Sequence, residues 1–525
     1  MTDNFERRLK ALAQAAPEAL RGGRMGLEKE TLRVGTCGAI AQTPHPPALG
    51  SALTHPWITT DYSEALLELI TPPFGEPDDA LHFLRELQAF VYPRLGDELM
   101  WATSMPCVVA GEEKIPVARY GDSNAGRMKT LYRIGLGHRY GRVMQVIAGV
   151  HFNYSLPEAF WPLFAEIEGR IEGDGRPLRA VSDDAYFGMI RNLQRLGWLV
   201  PYLFGASPAV CKSFFGGHPS AMPEFNENTY YEPYGTSLRM SDIGYQNRKE
   251  AETGVHVCYD GLDSYVASLR EAIRTPSPIY QAIGVKVGDE WRQLNANILQ
   301  IENEYYSTIR PKQVLDLMEK PSEALQGRGV RYVELRSLDV NAFDPLGVNE
   351  EQLRFLEAFL VYCLLTDSPS VSSGEREEID ANQLTAARRG RAPGVALRRD
   401  AVAVGLKEWA CEVLDRMQGV CELLDRDVRN GPYAAALAAQ RAKAEDPELT
   451  PSARMLREMS ETEEGFHEFA WRMSQKHQRY FEKIRLDPAR ERELEIEAAE
   501  SLERQREMEA ADDVSFDDYL ARYFG

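Results

Sequence analysis

Four short stretches place polar side chains at even separations, which is the spacing a β-strand needs to aim them at one target. In residues 25–34, read as a strand, side chains alternate between faces, so Glu28 and Glu30 project together, ~6.5–7 Å apart along the backbone. Pro72 and Pro73 close a second stretch, residues 57–71. Its β-branched start and end favour a strand with Glu64 and Glu68 co-facial, although Asp61, Glu64 and Glu68 also fit one face of a helix. In residues 145–156, His151, Asn153 and Ser155 share one face, with Val150, Phe152 and Tyr154 on the other. In residues 330–338, Glu334 and Arg336 share a face and Val333 and Leu335 pack behind them.

Any one of these alternations is also what a solvent-facing sheet surface shows; their joint occurrence is more specific. Carboxylates ~6.5 Å apart repel by roughly 2.5 kcal/mol at an effective dielectric of about 20, so several acids converging in a cleft call for a cation. Oxygen-rich ligation with one imidazole suits Mg²⁺ or Mn²⁺ better than zinc. Such ions bridge the phosphates of ATP in phosphoryl transfer, and an arginine placed like Arg336 offsets charge on the transferred group. A separate basic cluster, Arg127, Lys129, Arg133, His138, Arg139 and Arg142 interleaved with Tyr132 and Tyr140, could hold phosphates or substrate carboxylates, or form a surface rich in ion pairs. Two nucleotide signatures fail: Arg127 and Met128 stand where a P-loop has Lys and Ser or Thr, and Gly135, Gly137 and Gly141 miss the dinucleotide spacing by one.

The elements that must carry these groups change character along the chain. Residues 1–350 alternate β-branched and aromatic runs with Gly, Pro and Asn, predicting a sheet-based catalytic core, whereas residues 351–525 take helical spacing and predict a mainly helical part packed on that core or continuous with it. The run at 490–511, dense in Glu and Arg, reads as a solvated helix. A net charge of −20 over 525 residues excludes a nucleic-acid backbone as the natural partner, since phosphate binding needs a basic stripe. Apolar runs too short for a bilayer and a charged N-terminus give no membrane segment or export signal. Seven cysteines without metal spacing suit reduced thiols in the cytoplasm.

The stretches GRMGLEKETLRV, LTHPWITTDYSEALLELITP, QVIAGVHFNYSLP, RNLQRLGWLVPYLFGASPAVC, TSLRMSDIGYQN, LQIENEYYSTIRPK and RYVELRSLDVN resemble, in order, the motifs of proteobacterial-type glutamate–cysteine ligase. The resemblance implies an α+β fold like that of glutamine synthetase and the guanidino kinases, an antiparallel sheet curved into a funnel with metals on its inner face. It implies a metal site of Glu28, Glu30, Asp61, Glu68, His151 and Glu334, with Arg336 directed at the transferred phosphate. It also implies a substrate-carboxylate role for Arg239 and a cysteine pocket involving Tyr132, Arg133, Gln145, Tyr245 and Tyr306. The implied reaction activates the γ-carboxylate of glutamate with ATP and Mg²⁺, or Mn²⁺, and transfers it to the cysteine amine, the first step of glutathione synthesis; a related γ-glutamyl ligase with another amine acceptor would carry the same metal motifs. The resemblance inclines towards a monomer. Tyr305, Gly235 and the region 368–400 depart from the family pattern.

Overall fold

The computed structural model describes residues 4–170, 177–244, 256–316 and 319–525. Seven strands form its main sheet: β1 (Arg24–Val34), β2 (Ile58–Thr60), β3 (Leu66–Ile70), β4 (Leu99–Met100), β5 (Gly149–Ser155), β6 (Ile309–Lys312) and β7 (Tyr332–Asp339). They run in the order β6-β7-β5-β1-β3-β2, with β4 pairing to the end of β1, and every pairing is antiparallel. The central strand β1 is buried on both faces, which is why its alternation of acid and apolar residues reads inward on both sides. A register shift between Leu335 and Leu338 breaks the β7·β5 ladder, an irregularity of the kind that bends a sheet.

The stretch 57–71 is neither one strand nor a helix. It is the β2–β3 hairpin, and the turn carries Asp61 to one side and Glu64 to the other. Glu64 therefore leaves the face it was expected to share with Glu68: its carboxylate accepts the Arg119 and His45 backbone N–H groups, each at 2.6 Å. The predicted strand over 145–156 starts four residues late, because Met144–Val146 is a 3₁₀ turn.

Behind the sheet lies the Glu350–Leu365 helix, buried all round apart from its first two residues and started by a capping box between Asn349 and Gln352. The Leu406–Leu424 and Pro432–Glu445 helices pack against it. One apolar core runs from Phe5 through the sheet to Leu494, so the sheet-rich and helix-rich parts share it. The region 368–400 contains the Ser373–Arg389 helix and a hairpin, Ala396–Arg399 with Val402–Gly405. On the open side of the sheet stands the Asn124–Tyr140 helix, capped by Ser123 and ended at Gly141, where φ is 81°. The C-terminal Phe516–Phe524 helix pins it through Met128, Leu131, Phe516 and Leu520. The Pro488–Ala511 helix runs alongside, its Ser501 and Gln505 bonded to Ser51. The fold brings Cys107 and Cys211, 104 residues apart in sequence, side by side with their Cα atoms 5.5 Å apart. Spacing in sequence does not reveal such a pairing, since the fold alone brings the two segments together. Among the described residues no helix is long and apolar enough to cross a membrane.

Candidate active site

Strand register assembles the site. Glu28 lies opposite His151, Glu30 opposite Glu68, and Asn153 opposite Glu334. Residues directly opposite in an antiparallel pair share a face, so four strands deliver these side chains to one surface. A like-charge pair such as Glu30 and Glu68 is unfavourable there on its own, and its presence marks a place where a positive charge is expected.

The imidazole of His151 supplies some of it. Its Nδ1 lies 3.1 Å from Glu28 Oε2 and 3.4 Å from Glu334 Oε1, while Nε2 lies 3.6 Å from Glu30 Oε1. Burial and Arg336 both oppose a proton on this ring, but the three carboxylates prevail and raise it to about 9. Burial raises Glu68 to about 8, helped by the charges of Glu28, Asp61 and Glu30, and it raises Glu30 as well. Glu334 is also buried, yet Lys312 and Arg336 hold it ionised well below the usual range: Lys312 Nζ lies 3.0 Å from its Oε2, and Arg336 donates to Oε1 at 2.8 Å. Asn153 donates to Glu28 Oε1 at 2.8 Å, and the Gly149 N–H to Glu30 Oε2 at 2.6 Å. Ligand atoms of Glu28, Glu68 and His151 come within 4.8 Å of one another. Five carboxylates, counting Asp61, and one imidazole are a hard, oxygen-rich donor set that fits a divalent ion of the Mg²⁺ type.

These groups stand at one end of a cavity of about 520 Å³ whose lining includes Glu28, Asp61, Glu68, Glu334 and Arg336. The opposite wall is the Asn124–Tyr140 helix. Lys129 and Arg133, one turn apart, both lie over the Tyr120 ring, at 4.2 and 4.6 Å from its centroid. Arg133 also holds Asp61, donating to its backbone carbonyl and lying 3.6 Å from Oδ1. Tyr132, Gln145, Tyr305 and Tyr306 complete that side. Arg239 is 2% exposed and sits one layer beneath, its Nη2 donating to the Arg336 carbonyl at 2.7 Å. Tyr245 lies outside the described residues.

Two parts of the basic cluster separate. Lys129 and Arg133 face the cavity, whereas Arg139 turns into the core, where it meets Glu304 at 2.9 Å with both side chains 0% exposed and stacks on Tyr280. Sequence reasoning missed Arg310 and Lys312 on β6. Their two-residue spacing puts both on one face, as it does Glu28 with Glu30 and Glu334 with Arg336, and both line the cavity. Gly235 lies apart from the cavity, its carbonyl accepting from Arg391 at 3.3 Å.

An open antiparallel sheet that gathers acids, an imidazole and an arginine at the end of a deep cavity is the framework of an ATP-dependent ligase. The model of one family, described as glutamate-cysteine ligase, matches residues 9–386. A glutamate–cysteine ligase of Alcanivorax borkumensis is 48% identical over 527 residues, spanning 99% of either chain. One of Pseudomonas paraeruginosa is 49% identical over 524 residues, spanning 100% of this chain and 98% of that one. Among solved structures, the glutamate–cysteine ligase of Francisella tularensis in complex with AMP superposes with a TM-score of 0.88 at 36% identity, over 96% of this chain and 97% of its own. The chain belongs to the glutamate–cysteine ligase family.

Proposed function

We propose that this cavity joins the γ-carboxylate of glutamate to the amine of cysteine using ATP, giving γ-glutamylcysteine, ADP and phosphate, the first step of glutathione biosynthesis. The observation that carries the reading is the convergence of Glu28, Glu68 and His151 within 4.8 Å of one another beside the Arg336–Glu334 pair. A free carboxylate is a poor acyl donor, so the γ-carboxylate first attacks the γ-phosphate of ATP, and the amine then displaces phosphate from γ-glutamyl phosphate.

Glu28, Glu30, Asp61, Glu68, His151 and Glu334 would hold Mg²⁺, or Mn²⁺ in its place. The ions would neutralise the ATP phosphates and charge developing on the transferred group. Arg336, fixed by Glu334, presents a permanent cation to that group. Arg239, tied to the Arg336 backbone, serves the substrate carboxylate and holds the arginine strand in place. Tyr132, Arg133, Gln145 and Tyr306 form the acceptor pocket, and Arg133 couples it to Asp61. The buried walls exclude water from an intermediate that water would hydrolyse. We further propose a cytoplasmic monomer, which light scattering on the purified protein would test.

The test is phosphate release from ATP, Mg²⁺, glutamate and cysteine, with each omitted in turn and other amines competing with cysteine. Release that needs all four, with γ-glutamylcysteine as product, supports the proposal. A different preferred amine would move the substrate assignment to another γ-glutamyl acceptor, and no release from folded protein would overturn the catalytic reading.

A further inference from the structure

After the Pro488–Ala511 helix the chain turns back onto the Asn124–Tyr140 helix, the cavity wall that carries Tyr132 and Arg133. Contact begins at that helix's N-terminus. The Asp512 carboxylate accepts the Asn124 backbone N–H at 2.5 Å, and the Val514 carbonyl accepts the Asn124 side-chain amide at 3.0 Å. The first N–H groups of a helix have no partner within it, and the helix dipole favours an anion beside them. Asp512 thus adds a second tie to the Ser123 cap. The Phe516–Phe524 helix, started by the Ser515 hydroxyl accepting the Asp518 N–H at 3.1 Å, then lies along the wall. Its Phe516 and Leu520 are each 6% exposed and share with Met128, Leu131 and Leu294 an apolar cluster separate from the main core. Arg127 lies over the Phe516 ring, 4.2 Å from its centroid. Met128 and Tyr132, one turn apart, belong both to this cluster and to the cavity lining, and so does Tyr519. Through Tyr519 the end of the chain reaches the cavity itself.

We propose that the Phe516–Phe524 helix sets acceptor specificity: Tyr519 bounds the space left for the acceptor's side chain, and Asp512 is a positioning residue acting through the Asn124–Tyr140 helix. This rests on the ligase reading above. Cysteine has a short side chain, so selecting it means refusing longer ones. An apolar pocket discriminates one methylene by roughly tenfold or more only where its wall does not yield. A tyrosine ring supplies rigid bulk, and the cluster behind Tyr519 and Tyr132 keeps that wall from giving way. The metal acids and Arg336 owe their placement to strand register, which the C-terminal helix does not enter. Acceptor selection and phosphoryl chemistry are thus held by separate parts of the fold.

The experiment measures kcat/KM for cysteine, 2-aminobutyrate and methionine with the full-length protein, ATP, Mg²⁺ and glutamate. Tyr519→Ala should raise the methionine-to-cysteine ratio about tenfold or more, with the KM values for ATP and glutamate unchanged. Tyr519→Phe keeps the ring and should keep the parent ratio. Asp512→Ala alters an exposed side chain, so this arm stands even where Tyr519→Ala fails to fold. It should speed amide hydrogen exchange in the first turn of the Asn124–Tyr140 helix and raise the KM for cysteine by about threefold, the scale of a lost charge at a helix N-terminus. Its Mg²⁺ requirement should rise in parallel, because that helix also holds Asp61. A C-terminal helix that only stabilised the fold would change all the substrate constants together. That result, an unchanged ratio in Tyr519→Ala, Tyr519→Phe behaving like Tyr519→Ala, or unchanged exchange in Asp512→Ala would overturn the assignment. Unmodified protein that releases phosphate with none of the three amines would overturn the ligase reading and this proposal with it. Release with cysteine but no change of ratio in folded Tyr519→Ala would overturn this proposal alone.

Discussion

Two groups in the acid cluster carry protons that a metal must displace, and the size of that effect follows from the structure. Burial, with the charges of Glu28, Asp61 and Glu30, raises Glu68 to about 8. His151 is opposed by burial and by Arg336, but Glu28, Glu30 and Glu334 take it to about 9. Both groups hold their protons below those values, so metal binding weakens as pH falls. At pH 7 both groups are therefore mainly protonated in the free protein, and losing each proton weakens metal binding by on the order of a factor of ten or more. The first divalent ion should therefore release close to two protons at pH 7, and its affinity should rise steeply between pH 7 and 8 and level off above about 9. Calorimetric titration with Mg²⁺ or Mn²⁺ in buffers of different ionisation enthalpy counts the protons directly. In Glu68→Gln the count should fall by about one. Release of fewer than one proton by the unmodified protein, or affinity that changes less than about threefold from pH 7 to 8, would refute the argument that these groups are metal ligands held protonated in its absence.

Three further outcomes are expected. Arg336→Ala should lower kcat by a factor of about 10³ or more, the scale of a lost phosphoryl-transfer arginine, since Lys312 still pairs with Glu334 and keeps the strand charge-balanced; ATP turnover that survives unchanged would remove Arg336 from the mechanism. Arg139→Met strands the fully buried Glu304 and should cost about 3–5 kcal/mol in urea denaturation, with Arg139→Met/Glu304→Leu recovering most of it; a loss below about 1 kcal/mol would contradict a core role. Gly149→Ala would drive a Cβ into the Arg239 guanidinium and unseat the bond to the Arg336 carbonyl. Its KM for glutamate should rise about tenfold, equivalent to about 1.4 kcal/mol, in initial-rate measurements.

The acids were legible because strand alternation is a local property: Glu28 with Glu30, and Glu334 with Arg336, share faces whatever the strands later pair with. His151 was legible for the same reason. Glu64 misled because the period-2 count ran through a turn. The chain reverses at 61–65, and a residue on the turn owes its direction to the hairpin, not to the alternation on either side of it. The register that sets Glu30 opposite Glu68 is long-range, and only the resemblance to known ligases joined the four stretches in advance. Arg139 shows the same limit in the helix. It lies six residues after Arg133 in one basic run, yet six residues is about 1.7 turns, which sets the two side chains about 120° apart, on different faces.

That division of the Asn124–Tyr140 helix links folding to specificity. Its core face, through Arg139, grips Glu304 and the carbonyls of Asn295 and Ile298, and so fixes the segment that delivers Tyr305 and Tyr306. Its cavity face, through Arg133, grips Asp61 on the hairpin turn next to the metal acids. One rigid helix thus sets the distance between the acceptor side of the cavity and the phosphoryl side. A substitution that shifts it changes both together, whereas on the edge strand Arg310 reaches the acceptor wall through the Tyr305 and Asn303 carbonyls and Lys312 reaches the metal acids through Glu334. Mutations on the helix should therefore move the kinetic constants for cysteine and for metal in parallel, whereas Arg310→Ala should move mainly those for cysteine and Lys312→Ala mainly those for metal.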